Sequence, residues 1–478
     1  MDQMRQKMRT FLRIEEAQPL GIRIRESLDY EGNAIRNRVW YRGDSRELIQ
    51  LYESIGEGNG RFLFWASRSS PGMEMRKIHT GLPAMIADTL AGIAVTNLNG
   101  VTFQRTEHQA LWERIAEENR FKELVMEAVT EALVIGDGAF KISFDGGVSD
   151  LPILEFWPGD RVDYTLKRGR IREVIFRTPL TARDRKPCEL REIYGPGYIR
   201  YRLVRDGEPL DLSAAQELEG LEDVDFGPAG AGYCLAAPLR FFPSRRWEGR
   251  GQSIFDRKTE CFDAFDEAWS QWMDALRAGR TRTYIPESLI PRDPATGALK
   301  RPNAFDDRFL RTEADMTQGA DNVIRTERAD IPYDAYAATY AAALDLCLQG
   351  IISPATLGVD VKKLDNAEAQ REKEKVTLYT RSRIVEPLQA CLQVLAETAV
   401  RAAREAGGEA GELPRAEIAF GDYGSPSFDS QVQTVALAVE KGVMSVDAAV
   451  EELYGDTRSE EWKAAEARRV RDGAAEGR

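Results

Sequence analysis

Hydrophobic positions recur most regularly between Gly251 and Arg401, and the rest of the chain is organised around that stretch. Ile254, Cys261, Phe262, Phe265, Trp269, Trp272, Met273 and Leu276 recur at helical spacing with acids between them, as in an amphipathic helix. Ser253 with Asp256 makes a capping box at its start. Arg277, Arg280 and Arg282 gather where the helix dipole favours cations. The pattern predicts a helix over Ser253–Ala278, about 40 Å long at about 1.5 Å per residue. Pro286, Pro291, Pro294 and Pro302 break the stretch from Arg280 to Ile331. Pro332 suits the first position of a returning helix. That helix has one stripe of Tyr333, Tyr336, Tyr340, Leu344 and Cys347 and another, small and acidic, of Asp334, Ala337, Ala338, Ala341 and Asp345. Gly350 and Ser353-Pro354 end it. A third, charged helix starts near Asn366, kinks near Pro387 and continues through Leu388, Cys391, Leu392 and Leu395.

Upstream, residues 1 to about 45 are polar and rich in Arg and Glu. They read as an arm docking on a neighbouring subunit or as a frayed terminus. Arg46–Gly56 is a short amphipathic helix, and Gly56–Gly60 a loop. Helices follow at Met75–Thr96 and at Glu107–Val134, the latter stopped by Gly136-Asp137-Gly138. Short strands are expected at Ala139–Phe144, Ile153–Phe156, Val162–Leu166, Ile171–Arg177, Glu189–Tyr194 and Tyr198–Val204, with Asp206-Gly207 as a turn. The acidic run Glu217–Asp225 reads as a solvated loop. Downstream, Gly407–Pro414 is a linker and Glu417–Phe420 a short strand. Three short helices close the chain, marked by Ser430 with Gln433, Ser445, and Thr457 with Glu460. The fold class is therefore α+β, mostly helical.

Composition narrows the function more than the fold. A net charge of -13 over 478 residues argues against broad wrapping of nucleic acid, which needs a basic face. The five Cys form no CxxC pair and suggest neither a disulfide framework nor a zinc site. His79 and His108 read as surface or helix residues rather than ligands. No signal peptide or membrane span is expected, since Leu82–Val95 is too short and carries Asp88. No phosphate loop, HExxH or nucleophile elbow occurs. Acid pairs such as Asp263 with Glu267 and Asp306 with Asp307 are expected on solvated faces. We expect no catalytic residues, no metal and no cofactor.

The order of elements resembles the portal proteins of tailed bacteriophages. The resemblance rests on Val134-Ile-Gly-Asp-Gly-Ala-Phe-Lys141 leading into strands and on Gly251-Gln-Ser-Ile-Phe-Asp-Arg-Lys258 opening a helix with Trp269 and Trp272. Tyr284-Ile-Pro-Glu287, Ser353-Pro-Ala-Thr-Leu-Gly358 and Asn366-Ala-Glu-Ala-Gln370 follow in order, and the similarity spans roughly 75 to 460. It implies a ring, typically of twelve copies, at one capsid vertex of a virion, assembled in the bacterial cytoplasm. Double-stranded DNA passes through such a ring non-specifically. The terminase large subunit, a major capsid or scaffolding protein and a head-tail adaptor are the implied partners, with no membrane involved. The implied parts are an N-terminal arm and start of the wing at 1–74, the wing at 75–250 and a first stem helix at 251–279. A clip at 280–331, a second stem helix at 332–350 and a tunnel loop at 351–366 follow. A long helix returning to the wing occupies 367–427, and a crown 428–478.

On that reading Asp334, Ala338, Ala341 and Asp345 face the channel, where acidic or small side chains keep phosphate contacts weak. Asp360, Lys362 and Lys363 lie in the tunnel loop. The two lysines are either a basic girdle touching DNA or solvated residues before a helix, and normal packaging after Lys362→Ala with Lys363→Ala would exclude the girdle. Trp269, Trp272, Tyr333, Tyr336 and Tyr340 serve either as a contact between copies or as a seam inside one chain. The competing functions are another virion or tail-assembly structural protein and an enzyme acting on nucleic acid.

Overall fold

The computed structural model describes residues 28–55, 63–68, 75–227, 232–279, 282–286, 292–298, 309–312, 325–327, 330–359, 367–408, 412–421, 432, 435–439, 441, 443–455 and 460–476. Among these, helices and sheets alternate in an α+β arrangement. The segment expected to be weakly ordered instead carries a core helix. Helix α1 (Tyr30–Arg42) is capped by Asp29, whose side chain accepts from the Gly32 N–H, and is closed by left-handed Gly43. Its Ala34, Asn37 and Trp40 are fully buried. The low hydrophobic content of this helix hid it: two of its inward positions, Asn33 and Asn37, are polar and find partners only in the fold. Helix α2 (Ser45–Ile55) follows as expected, burying Leu48, Leu51 and Tyr52.

Helix α3 (Leu82–Val95) is shorter than the expected Met75–Thr96, because Met75–Gly81 has no helical structure and Gly81 before the helix is left-handed. The single helix expected over Glu107–Val134 is two, α4 (Thr106–Glu118) and α5 (Phe121–Ile135). The break is at Arg120, which takes a φ of 45°. Asn119 bonds across the corner: its amide donates to the Ile115 and Pro152 carbonyls and accepts from the Leu154 N–H. The strand β1 (Leu98–Phe103), which lies between α3 and α4, was not expected. It pairs antiparallel with β14 (Ala416–Phe420). The outer edges of this two-stranded sheet carry side-chain partners. Gln109 serves Phe103 and Val101, while Gln389 and Glu397 serve Ile418 and Ala416. Those backbone groups are thereby withdrawn from pairing with another chain.

The strands between residues 137 and 240 form two sheets. In the first, β10 (Ala236–Arg240), β2 (Asp137–Ser143) and β3 (Ile153–Pro158) pair antiparallel in that order. In the second, β4 (Val162–Lys167), β5 (Arg170–Thr181), β6 (Pro187–Gly195), β7 (Tyr198–Arg205) and β8 (Glu208–Leu210) run as a meander. Arg168 and Gly169 at φ 53° and 74°, and Asp206 and Gly207 at 50° and 86°, supply the positive φ that two-residue hairpin turns require. The run Glu217–Asp225 is more than a solvated loop. It ends in β9 (Val224–Asp225), which pairs with β7, and Asp223 accepts the Tyr201 N–H. The two sheets are tied by a buried pair, Lys141 Nζ to Glu192 Oε2 at 2.8 Å, with Trp157, Phe176 and Tyr194 rings around the ammonium.

Downstream come α6 (Thr259–Ala278), the strands β11 (Arg282–Pro286), β12 (Phe309–Thr312) and β13 (Arg325–Glu327), and α7 (Tyr333–Leu348). The three strands form one sheet with β11 central, parallel to β12 and antiparallel to β13. Helix α8 (Ala367–Ala406) contains Pro387 and sends Ile384, Leu388, Leu392, Leu395, Ala396 and Val400, all fully buried, into the same core as α3, α5 and β2. Each such leucine contributes about 1.5–3 kcal/mol of burial. Near the end lie α9 (Val446–Tyr454), capped by Ser445 and stopped by Gly455, and α10 (Glu460–Glu476). Ser430, Gln433 and Thr457 lie outside the described residues, as do Gly56–Gly60 and Asp306 with Asp307.

Candidate functional site

The expected helical pair is present. α6 and α7 run antiparallel and pack along an aromatic seam. Tyr340 meets Phe265 at 4.9 Å, Trp269 at 5.6 Å and Trp272 at 6.2 Å between ring centroids. Trp272 stacks on Tyr336 at 6.3 Å with 11° between the planes. These rings meet one another inside one chain. Tyr333 is different, being 65% exposed. At the base, Lys258 donates to the Leu346 carbonyl at 2.6 Å, placing a cation at the C-terminal end of α7.

The opposite side of α7 carries the small and acidic residues, with Ala337 half-buried. Asp334, Ala338 and Asp345 are exposed and Ala341 is half-buried. The helical surface of the pair also carries Glu260, Glu267 and Asp274 against Arg277, so its exposed charge is predominantly negative. Asp360, Lys362 and Lys363 lie outside the described residues.

What holds this pair to the body is a set of buried polar contacts that the spacing did not reveal. The helix begins at Thr259 rather than Ser253, and the capping box closes a turn ahead of it: Ser253 N donates to Asp256 Oδ2 at 3.0 Å, and Phe255 N to Ser253 Oγ at 3.0 Å. Asp256 is then committed further, accepting from Asn33 Nδ2 at 2.8 Å and Asn37 Nδ2 at 2.9 Å. Two stretches far apart in sequence, Val134–Lys141 and Gly251–Lys258, meet here. A Cβ on Gly251 would sit 2.0 Å from the Gly136 carbonyl oxygen, so only glycine permits the approach. Ile254 N and Ser253 Oγ both donate to the Leu133 carbonyl.

Beside that crossing lies a buried charge centre. Asp137, 0% exposed, is 3.1 Å from Arg250 and accepts from Tyr30 at 3.0 Å and from the Gly251 N–H. Arg250 also donates to the Val162 and Gly159 carbonyls and lies 3.7 Å from the Tyr30 ring centroid. Burial pushes the Asp137 carboxyl up, opposed by Arg250.

A second centre corrects two expectations. Asp263 is not on a solvated face: it is 4% exposed and accepts the N–H groups of Phe64 at 2.7 Å and Trp65 at 3.1 Å. His79 is not at the surface, since its Nδ1 lies 2.7 Å from Asp266, with a side chain only 2% exposed. Asp266 also accepts from Thr80 N, Thr80 Oγ1 and Trp65 Nε1. His108 is on α4 but buried, 2.8 Å from Arg404, where burial and that guanidinium push its pKa down. The acids along α6 gave no signal of burial because their partners, backbone N–H groups and side chains of residues 64–80, lie some 200 residues away in sequence.

The Asp263 centre yields a prediction. Burial raises this carboxyl to about 6, opposed by its two N–H donors. A raised folded-state pKa means the fold binds the proton more tightly than the unfolded chain does. This group's contribution to stability therefore grows as pH falls through about 6 and is complete below the ordinary carboxylate value near 4. Urea unfolding at pH 7, 6 and 5 should show wild type gaining stability relative to Asp263→Asn on acidification. A difference that stays constant over this range would show that Asp263 does not titrate there.

Among the described residues no group of three or more His, Cys, Asp or Glu side chains is placed to hold a metal ion, and no helix is long and apolar enough to cross a membrane.

No protein-family model matches the chain, and no curated protein matches it. Solved structures similar to it include the virion of a native gene transfer agent (GTA) particle, at 14% identity over 83% of this chain and 94% of that one, with a TM-score of 0.40. The neck of a native GTA particle computed with C12 symmetry is matched at 14% identity over 79% and 91%, with a TM-score of 0.40. The neck of an empty GTA particle computed with C6 symmetry is matched at 14% identity over 78% and 90%, with a TM-score of 0.42. Overlaps of this size fix neither the fold nor the role of this chain.

Proposed function

We propose that the chain is a structural protein of a phage-like virion, and within it the portal: a ring of copies, typically twelve, through which double-stranded DNA enters and leaves. The observation that carries this reading is the antiparallel pair α6–α7. Its aromatic sides are used against each other, leaving on α7 an exposed stripe of Asp334, Ala338 and Asp345. A stripe of small and acidic side chains suits a wall past which DNA slides, because few phosphates are neutralised and each contact stays weak. The buried centres at Asp137, Asp256 and Asp266 make the base of the pair rigid, as a wall that bears load needs. On this reading the chain performs no chemistry. The packaging terminase and a head-tail adaptor dock at the 280–331 end, a capsid or scaffolding protein meets the α+β body, and the ring sits at a capsid vertex.

The test is the assembly state of the purified protein, by negative-stain imaging with mass measurement. Rings with a central hole wide enough for a duplex, about 20 Å or more, are expected; each copy then offers its α7 stripe to the lumen. A compact dimer that turns over a small substrate would overturn the reading.

A further inference from the structure

A groove runs along the outer side of α5. It consists of two hollows that share Lys122 and Glu123 in their walls. One, of about 410 Å³, is lined by Leu98, Val101, Trp112 and Phe121 at the start of the helix. The other, of about 550 Å³, is lined by Tyr41, Met126 and Thr130 further along. The floor is largely apolar and the rim is acidic: Glu117, Glu123, Glu127 and Glu131 all contribute to the walls. Asp88 stands behind Tyr41, whose hydroxyl it accepts at 2.7 Å. Against these acids are Arg120 and Lys122, while Arg38 is divided between Glu131 and Asp160. Glu123 and Glu127 are exposed, and Glu127 makes no ion pair among the described residues. An apolar trough with an acidic rim fits a basic amphipathic segment.

The chain itself contains one. In the N-terminal segment, which lies outside the described residues, Met4, Met8, Phe11 and Leu12 are spaced as one side of a helix, and Arg5, Lys7, Arg9 and Arg13 lie between them. We propose that Met4–Arg13 docks in the α5 groove of its own chain, with its apolar side on Met126 and Tyr41 and its cations against Glu123 and Glu127.

Length and direction agree. α1 runs back along α5, with Tyr30 at the Asp137 end, Arg38 on Glu131, and Tyr41 in the groove wall beside Met126. The described chain therefore begins roughly 20 Å, one length of α1, from the groove. Residues 14–27 can span up to about 45 Å when extended, more than enough to return. A helix over Met4–Arg13 would be about 15 Å long, against about 22 Å for α5. The proposal stands on the groove and the segment and does not depend on the ring.

The test places a photo-crosslinking amino acid at Met8 in the full-length protein, prepared as a mixture of light and ¹⁵N-labelled chains, and maps the products by mass spectrometry. Crosslinks to the peptide around Phe121–Glu131 within one isotopic species are expected. Glu123→Lys with Glu127→Lys, both on exposed positions, should lower their yield at least tenfold, and Arg5→Glu with Arg9→Glu in the same chain should restore it. Crosslinks that map elsewhere, that join light to heavy chains, or that ignore the charge reversal would each overturn the proposal. Ring formation would be unaffected by any of these outcomes, so the two readings fail separately.

Discussion

Replacing Arg250 with Met is expected to lower the stability of the folded chain by about 3–5 kcal/mol, the cost of leaving a buried charge without its partner. The reasoning starts from Asp137, which is fully buried where β2 leaves α5. Its carboxylate keeps the Tyr30 hydroxyl and the Gly251 N–H after the substitution but loses the guanidinium at 3.1 Å. The Val162 and Gly159 carbonyls lose a donor at the same time. Methionine reproduces the aliphatic stem but not the guanidinium packed on the Tyr30 ring, so the loss combines the missing charge with lost packing. Removing both charges, with Asp137→Asn and Arg250→Met together, should cost less than the sum of the single changes, because the remaining group is neutral. Urea unfolding followed by far-UV circular dichroism measures this. A loss under about 1 kcal/mol for Arg250→Met would show that water or another cation satisfies Asp137. The same variant tests function, since Gly251 follows directly and the α6–α7 pair is seated through that crossing. Assembly should fail at temperatures where wild type still assembles.

The second large effect is expected at the α7 stripe. In a ring, Asp334→Lys with Asp345→Lys changes the charge of each copy by about four units on the wall proposed to face DNA. Such rings should bind duplex DNA at least tenfold more tightly at low salt. They should also acquire a steep salt dependence, close to 0.9 in log–log slope for each phosphate newly neutralised. Packaging through them should slow, since tight contacts act as a brake. Asp334 lies in the first turn of α7, where an acid favours the helix by about 0.3–1 kcal/mol, so Asp334→Ala with Asp345→Ala is the control for stability. Fluorescence anisotropy with a labelled duplex across a salt series separates the outcomes. Unchanged affinity in intact lysine-bearing rings would mean that the stripe faces away from the DNA.

Much of the scaffold for these predictions was legible in the residues. Of the α7 stripe drawn through Tyr333, Tyr336, Tyr340, Leu344 and Cys347, the last two are buried, Tyr336 and Tyr340 half-buried and Tyr333 exposed; of the other, Asp334, Ala338 and Asp345 are exposed and Ala337 and Ala341 half-buried. The meander β4–β7 was legible because alternating apolar residues and turn residues such as Arg168-Gly169 act locally. Other parts were not, three of them for plain physical reasons. α1 is polar at positions that point inward, so periodicity missed it. The break at Arg120 carries neither glycine nor proline, and what holds the corner is Asn119 bonding to Pro152 and Leu154 on the next layer. β1 reads as a loop until β14, more than 300 residues on, supplies its partner.

The sequence by itself determined the helices that carry their own hydrophobic stripe, the strands joined by tight turns, and the small acidic face of α7. These depend on interactions between residues a few positions apart, which the order of residues states directly. The tertiary structure alone decided that the aromatic stripes of α6 and α7 close on each other within one chain. It also decided that Asp137, Asp256, Asp263 and Asp266 are buried rather than solvated. A carboxylate is stable in the interior only where donors converge on it, and here they come from Tyr30, Asn33, Phe64, Trp65, Thr80 and Arg250. That convergence is a property of the packed chain and has no local trace in the spacing of residues.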